Sequence, residues 1–91
     1  MTKVDYRLNA IVDFDAIGPD KDLGALALAA VRGGATIIQY RDKNSATRDM
    51  IDRARQIHAA IKAKGVPLLV NDRIDVALAA GVEGVHVGRE D

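Results

Sequence analysis

Short apolar runs alternate along this chain with longer stretches whose apolar residues recur at helical spacing. Leu8 to Val12 reads as a first strand, ended by Asp13. Asp20 to Arg32 carries Leu23, Leu26, Ala27, Ala30 and Val31 on one helical face and is closed by Gly33-Gly34. Ala35 to Arg41 is rich in β-branched residues and reads as a second strand. Ser45 is a candidate N-cap for a long helix with Met50, Ala54, Ile57 and Ile61 on one face and Gly65 as its stop. Pro67 to Asn71 reads as a third strand, since proline is tolerated at a strand's first residue. Arg73 to Ala80 follows as a short helix ended by Gly81, and Gly84 to Val87 as a fourth strand. The order βαβαβαβ argues for a parallel sheet. Ala27-Leu28-Ala29-Ala30 returns as Ala77-Leu78-Ala79-Ala80, an echo that suits duplicated units but that Ala-rich helices also produce by chance.

Strand parity separates a barrel from an open sheet. Ile37, Gln39 and Arg41 share one face of the second strand, and Thr36, Ile38 and Tyr40 share the other. Leu69 and Asn71 oppose Leu68 and Val70, and His86 opposes Val85 and Val87. These three strands therefore have one mostly apolar face and one that turns polar, mainly towards the C-terminal end. A doubly wound sheet needs apolar residues on both faces, whereas a barrel takes helices on one side and polar groups at its C-terminal mouth. The expected fold is α/β: the N-terminal half of a (β/α)8 TIM barrel with parallel strands, occupying residues 1–91 as half of one domain. A closed barrel needs roughly 200 residues or more. Half of one leaves two strand edges open, so self-association into a homo-oligomer through those edges is expected.

Composition adds limits. Aromatics are only 3% of the 91 residues, so the core must come from Ala, Val, Ile and Leu. Thirteen basic residues balance 13 acidic ones without a long run of either sign, which gives no support for nucleic-acid or membrane-surface binding. There is no cysteine, which excludes disulfides and thiolate metal sites. Met1 to Asp5 lacks an apolar signal core and no apolar run approaches membrane-spanning length, so a cytoplasmic protein is expected.

Three strand ends carry candidate chemistry. Gln39 and Arg41 point the same way, and Lys43 follows in the loop, so an amide, a guanidinium and an ammonium converge at the mouth. Such a cluster suits a small molecule bearing phosphate or pyrophosphate. Equally, Arg41 and Lys43 are read as solvated loop charges paired with Asp42. Asn71 can donate and accept, and Asp72 is a hard oxygen ligand suited to Mg²⁺, or else the N-cap of the helix from Arg73. After the fourth strand, Gly88 permits a tight turn, and Glu90 and Asp91 place carboxylates beside the mouth. An ion shared by Asp72 and Asp91 fits Mg²⁺-pyrophosphate chemistry; a frayed acidic terminus is the plainer reading. His86 is read as a satisfied core histidine. No hydrolytic triad, zinc-type His pairing or Walker loop is present.

Together, Gly33-Gly34-Ala35-Thr36 through Gln39-Tyr40-Arg41-Asp42-Lys43, Pro67 through Asn71-Asp72-Arg73-Ile74-Asp75-Val76-Ala77-Leu78-Ala79, and Gly84-Val85-His86-Val87-Gly88-Arg89-Glu90-Asp91 resemble the thiamine-phosphate synthase family. Arg89 departs from the glutamine common there. The resemblance covers nearly all of this chain but only about half of a barrel. It implies a transferase of thiamine biosynthesis that joins hydroxymethylpyrimidine diphosphate to thiazole phosphate and releases pyrophosphate. It also implies Gln39 at the pyrimidine, Arg41, Lys43 and Asn71 at the diphosphate, and Asp72 with Asp91 on Mg²⁺. No nucleophile is implied, because the reaction is dissociative. The later strands would supply the thiazole phosphate site, so the 91-residue chain is expected to have little or no activity alone. Two alternatives stand beside this: a non-catalytic, self-associating half-barrel fragment, and a relative of the thiazole tautomerases, which share the fold. The joint presence of Lys43, Asp72 and Asp91 leans towards the synthase.

Overall fold

Where β-branched and aliphatic residues run together, the chain forms strands, and all of them join one sheet. The structure is a computed structural model and describes residues 8–86. Strand β1 (Asn9–Asp13) runs into a one-turn helix α1 (Phe14–Ile17), then helix α2 (Leu23–Arg32) and strand β2 (Ile37–Arg41). Helix α3 (Thr47–Ile61) ends in a 3₁₀ turn, Lys62–Lys64, and leads to strand β3 (Leu68–Asn71), helix α4 (Ile74–Ala80) and strand β4 (Gly84–His86). The four strands are parallel and lie in chain order, β1-β2-β3-β4.

Among the described residues, helices cover one face of this sheet and leave the other, the hollow side, without a layer. Val12, Ile38, Tyr40, Leu68 and Val70 share a single buried cluster with Leu23 and Ala27 of α2, Met50, Ala54, Ile57 and Ile61 of α3, and Val76 and Ala77 of α4. All three longer helices thus cover the same side. Fully burying an aliphatic or aromatic side chain contributes about 1.5–3 kcal/mol, and Ile38, Tyr40, Ile57, Ile61, Leu68 and Val76 are all sealed. Ile37 is equally buried but stands outside that cluster, on the opposite face with Gln39 and Arg41. Gly24 lets α2 approach α3 closely: a Cβ there would lie 3.3 Å from both the Ala60 Cβ and the Gln56 carbonyl oxygen.

Element boundaries depart from the sequence reading for local reasons. Helix α2 begins at Leu23 rather than Asp20 because the Asp22 side chain accepts from the Ala25 amide at 3.1 Å. Ser45 does not cap α3, which starts from Ala46 without a side-chain cap. Strand β2 starts at Ile37, two residues later than read, and β1 is shifted by one residue to Asn9–Asp13. The helical turn α1 was not anticipated; its N-cap is Asp13, whose side chain accepts from the Asp15 amide. Gly81 ends α4 at φ 71°, a left-handed conformation that glycine adopts without penalty.

Candidate functional site

The register gathers polar side chains at the C-terminal end of the hollow face. Asp13 lies opposite Arg41, and Asn71 lies opposite His86. One layer below, Gln39 sits between Ile11 and Leu69, and Leu69 faces Gly84. A Cβ at position 84 would meet Leu69 Cδ2 at 3.0 Å, so the glycine makes room for that side chain on the floor.

Gln39 is only 4% exposed, yet its side chain makes no hydrogen bond among the described residues. No described side-chain nitrogen or oxygen is both sealed from solvent and without a partner, so this amide opens onto the hollow. Arg41 is half-buried and Lys43 exposed, and neither side chain forms an ion pair among the described residues. The pairing of these two cations with Asp42 does not form. Asp42 is buried instead beneath the loop, where it accepts from the Tyr40 hydroxyl at 2.6 Å, the Ser45 amide at 3.1 Å and Arg53 at 3.4 Å. Arg53 also donates to Ser45 Oγ at 2.7 Å and lies 3.8 Å over the Phe14 ring. Burial pushes the Asp42 carboxyl up, but hydrogen bonds from Tyr40 and Ser45 outweigh it and hold the group below its ordinary value. The Tyr40 hydroxyl is pushed well above its ordinary range, first by burial and then by donation to Asp42.

At the end of β3, Asn71 Nδ2 donates to Asp72 at 3.1 Å, and its Oδ1 lies 3.4 Å from His86 Nδ1. His86 is exposed, not the satisfied core histidine of the sequence reading. Asp72 is exposed at φ 63°, and its amide donates to the His86 carbonyl at 2.7 Å. It does not cap α4: Arg73 occupies that position, and no side-chain cap bond is made. Arg73 pairs with Asp75 at 2.8 Å and donates to Thr47 Oγ1, tying the starts of α4 and α3 together. Asp91, Glu90 and Gly88 lie outside the described residues. Among the described residues no three His, Cys, Asp or Glu side chains cluster as a metal site. Asp72 offers a hard, exposed oxygen donor at the mouth, which fits an ion that takes one or two protein carboxylates and completes its shell with phosphate oxygens and water.

The acidic residue Asp15 was missed by sequence reading. Its carboxylate accepts from the Lys43 amide at 2.9 Å and from Asn44 Nδ2 at 3.1 Å. The available signal was Asp13, a residue type suited to an N-cap, at the very end of a strand. Two cavities of about 260 and 270 Å³ lie elsewhere. One sits between Lys21, Arg53 and Gln56 on the helical side, and the other runs along Ile74, Leu78 and Val85. Neither includes a residue of the strand-end cluster.

Four parallel strands with helices on one face and polar groups at their C-terminal ends define the N-terminal half of a (β/α)8 barrel. Residues 8–91 match the family model described as thiamine monophosphate synthase, and the chain belongs to that family. It is 58% identical over 91 residues to a thiamine-phosphate synthase of Agrobacterium fabrum, matching all of this chain and 41% of that protein. The corresponding protein of Chloroflexus aurantiacus is 46% identical over 88 residues, matching 97% of this chain and 40% of its own length. A solved thiamine phosphate pyrophosphorylase from Pyrococcus furiosus superposes with a TM-score of 0.77 at 32% identity, covering 92% of this chain and 40% of that one. The chain therefore spans about two fifths of the length of these relatives. Among the described residues no helix is long and apolar enough to cross a membrane.

Proposed function

We propose that the hollow strand-end face is the diphosphate side of a thiamine-phosphate synthase site. The observation that carries this reading is a buried Gln39 amide that makes no hydrogen bond among the described residues, below two cations, Arg41 and Lys43, that form no ion pair among them. Ile11 and Leu69 flank Gln39 and give the floor an apolar surface suited to a pyrimidine ring, whose edge the amide would hydrogen-bond. Arg41, Lys43 and Asn71 would hold the diphosphate, with Asp72 and Asp91 on Mg²⁺. The ion, when bound, supplies further neutralisation of the departing charge. In the reaction proposed, the bond from the pyrimidine methylene carbon to the diphosphate oxygen breaks first, its electron pair leaving with pyrophosphate. The thiazole nitrogen then captures the resulting cation. The side chains accordingly need to neutralise and position, and no activated nucleophile is required.

Calorimetric titration of the 91-residue chain with Mg²⁺ and inorganic pyrophosphate tests the reading. Saturable binding that weakens about ten- to hundredfold in Arg41→Ala is expected for loss of a charge-assisted hydrogen bond. Binding indifferent to Arg41→Ala, or no binding by the parent chain, counts against it. The chain by itself is expected to form little or no product from both substrates, and robust turnover would overturn that expectation.

A further inference from the structure

We propose that Asp15 is a positioning residue that fixes where Lys43 presents its ammonium. The proposal rests on the reading of the strand-end face given above. The loop after β2 is held at each of its residues. The Asp42 side chain is buried under it, the Lys43 amide and the Asn44 side chain donate to Asp15, and Ser45 is held by Asp42 and Arg53. Asp15 is in turn oriented by Asp13, whose Oδ1 accepts the Asp15 amide at 3.1 Å. Because Asp13 lies in register with Arg41, helix α1 leaves β1 directly beside the exit of β2. The Asp15 carboxylate spends both oxygens on the loop backbone and on Asn44, while the Lys43 ammonium makes no ion pair among the described residues. A fixed backbone carrying an uncommitted cation is pre-organised for an anion, which lowers the ordering cost of binding.

The sign of one substitution separates this role from that of a bystander. A carboxylate near an anion site repels the anion, so removing a mere bystander tightens binding at low salt. Removing a positioning residue weakens it, although a negative charge is lost. The experiment titrates Mg²⁺ and inorganic pyrophosphate into the 91-residue chain and its Asp15→Ala, Asp15→Asn, Lys43→Ala and Asp15→Ala/Lys43→Ala variants. Far-ultraviolet circular dichroism confirms folding in each. Asp15→Ala is expected to weaken binding about tenfold, and Asp15→Asn, which keeps one acceptor oxygen, by less. In the Lys43→Ala background, Asp15→Ala should have no further effect, an outcome that general destabilisation would not produce.

Tighter or unchanged binding in both Asp15 variants overturns the proposal, as does an undiminished effect in the Lys43→Ala background. Amide hydrogen exchange provides a readout that needs no anion. Exchange at Lys43 should be about tenfold faster in Asp15→Ala, while Ser45, held by Asp42, is unchanged. Equal exchange at Lys43 refutes the tether. If exchange behaves as expected but the parent chain does not bind pyrophosphate, the functional reading falls and takes with it the role towards the anion, leaving the tether established.

Discussion

Replacing Tyr40 or Asp42 gives the sharpest test of what holds the loop after β2. The Tyr40 hydroxyl is buried and reaches Asp42 at 2.6 Å, and the Asp42 side chain is only 1% exposed. A hydrogen bond to a charged group contributes about 1.5–3 kcal/mol, and Tyr40→Phe leaves Asp42 with its Ser45 and Arg53 donors, so a loss of about 2 kcal/mol is expected. Asp42→Ala leaves the buried Tyr40 hydroxyl and the Ser45 amide without their acceptor, while Arg53 keeps Ser45 Oγ and the Phe14 ring, so a loss of about 2–4 kcal/mol is expected. Once Asp42 is gone, removing the hydroxyl should cost almost nothing more, which makes the two substitutions coupled by about 2 kcal/mol. Urea denaturation followed by circular dichroism measures all four corners of the cycle, read from midpoints at constant slope. Asp42→Asn keeps one acceptor and supplies a milder corner if the alanine variant does not fold. Additivity within about 0.5 kcal/mol would refute the reasoning. The acid limb carries a second signature. The Asp42 carboxyl titrates below its unfolded value, so its stabilisation is present at neutral pH and is lost as pH falls through the depressed value. Tyr40 is the leading cause that lowers it, so Tyr40→Phe should move the acid transition to higher pH.

At position 72, Asp72→Gly should be more stable than Asp72→Ala by about 1 kcal/mol, because both lose the carboxylate and only alanine resists φ 63°; equal urea midpoints would contradict that backbone. Glu83 accepts from the Leu68 amide at 2.9 Å and meets His58 at 3.0 Å. Burial raises its carboxyl, but the Leu68 and His58 contacts outweigh this and leave it below its ordinary value, so its contribution is present at neutral pH and lost as pH falls through that value. Glu83→Gln should flatten this part of the pH–Tm profile and, with the carboxylate half exposed, cost less than about 1 kcal/mol at neutral pH. Finally, Leu8 and Ile11 beside the β1 edge and Ile74 and Leu78 on α4 are exposed. Sedimentation equilibrium is expected to show concentration-dependent self-association, and a monomer at high concentration would count against it.

Strand parity was readable because period two needs no tertiary information: it put Ile37, Gln39 and Arg41 on one face, and the core cluster takes Ile38 and Tyr40 from the other. What parity could not convey was choice of partner. Asp42 has two cations beside it in sequence, but the fold gives it Arg53 from the next helix. Ser45 has the chemistry of a cap and uses it on Arg53 instead. Asp72 likewise resembles a cap in sequence, and only its positive φ shows that its backbone turns another way. Helix α1 is one turn long, too short for a periodic signal, and with it went Asp15, whose carboxylate grips the β2 loop from β1's side.

The sheet's order also bears on how the chain folds during synthesis. Each strand pairs with the strand one unit earlier, as Asn9 does with Ile37, Ile38 with Leu68, and Leu69 with Gly84. No pairing among the described strands waits for a distant segment, so each helix can close over a strand pair soon after it leaves the ribosome. Loop-closure entropy is then met in small instalments, which favours rapid growth from the N-terminal end. The growing edge carries the hazard: until the next strand arrives, the newest one presents unpaired backbone to every neighbouring nascent chain.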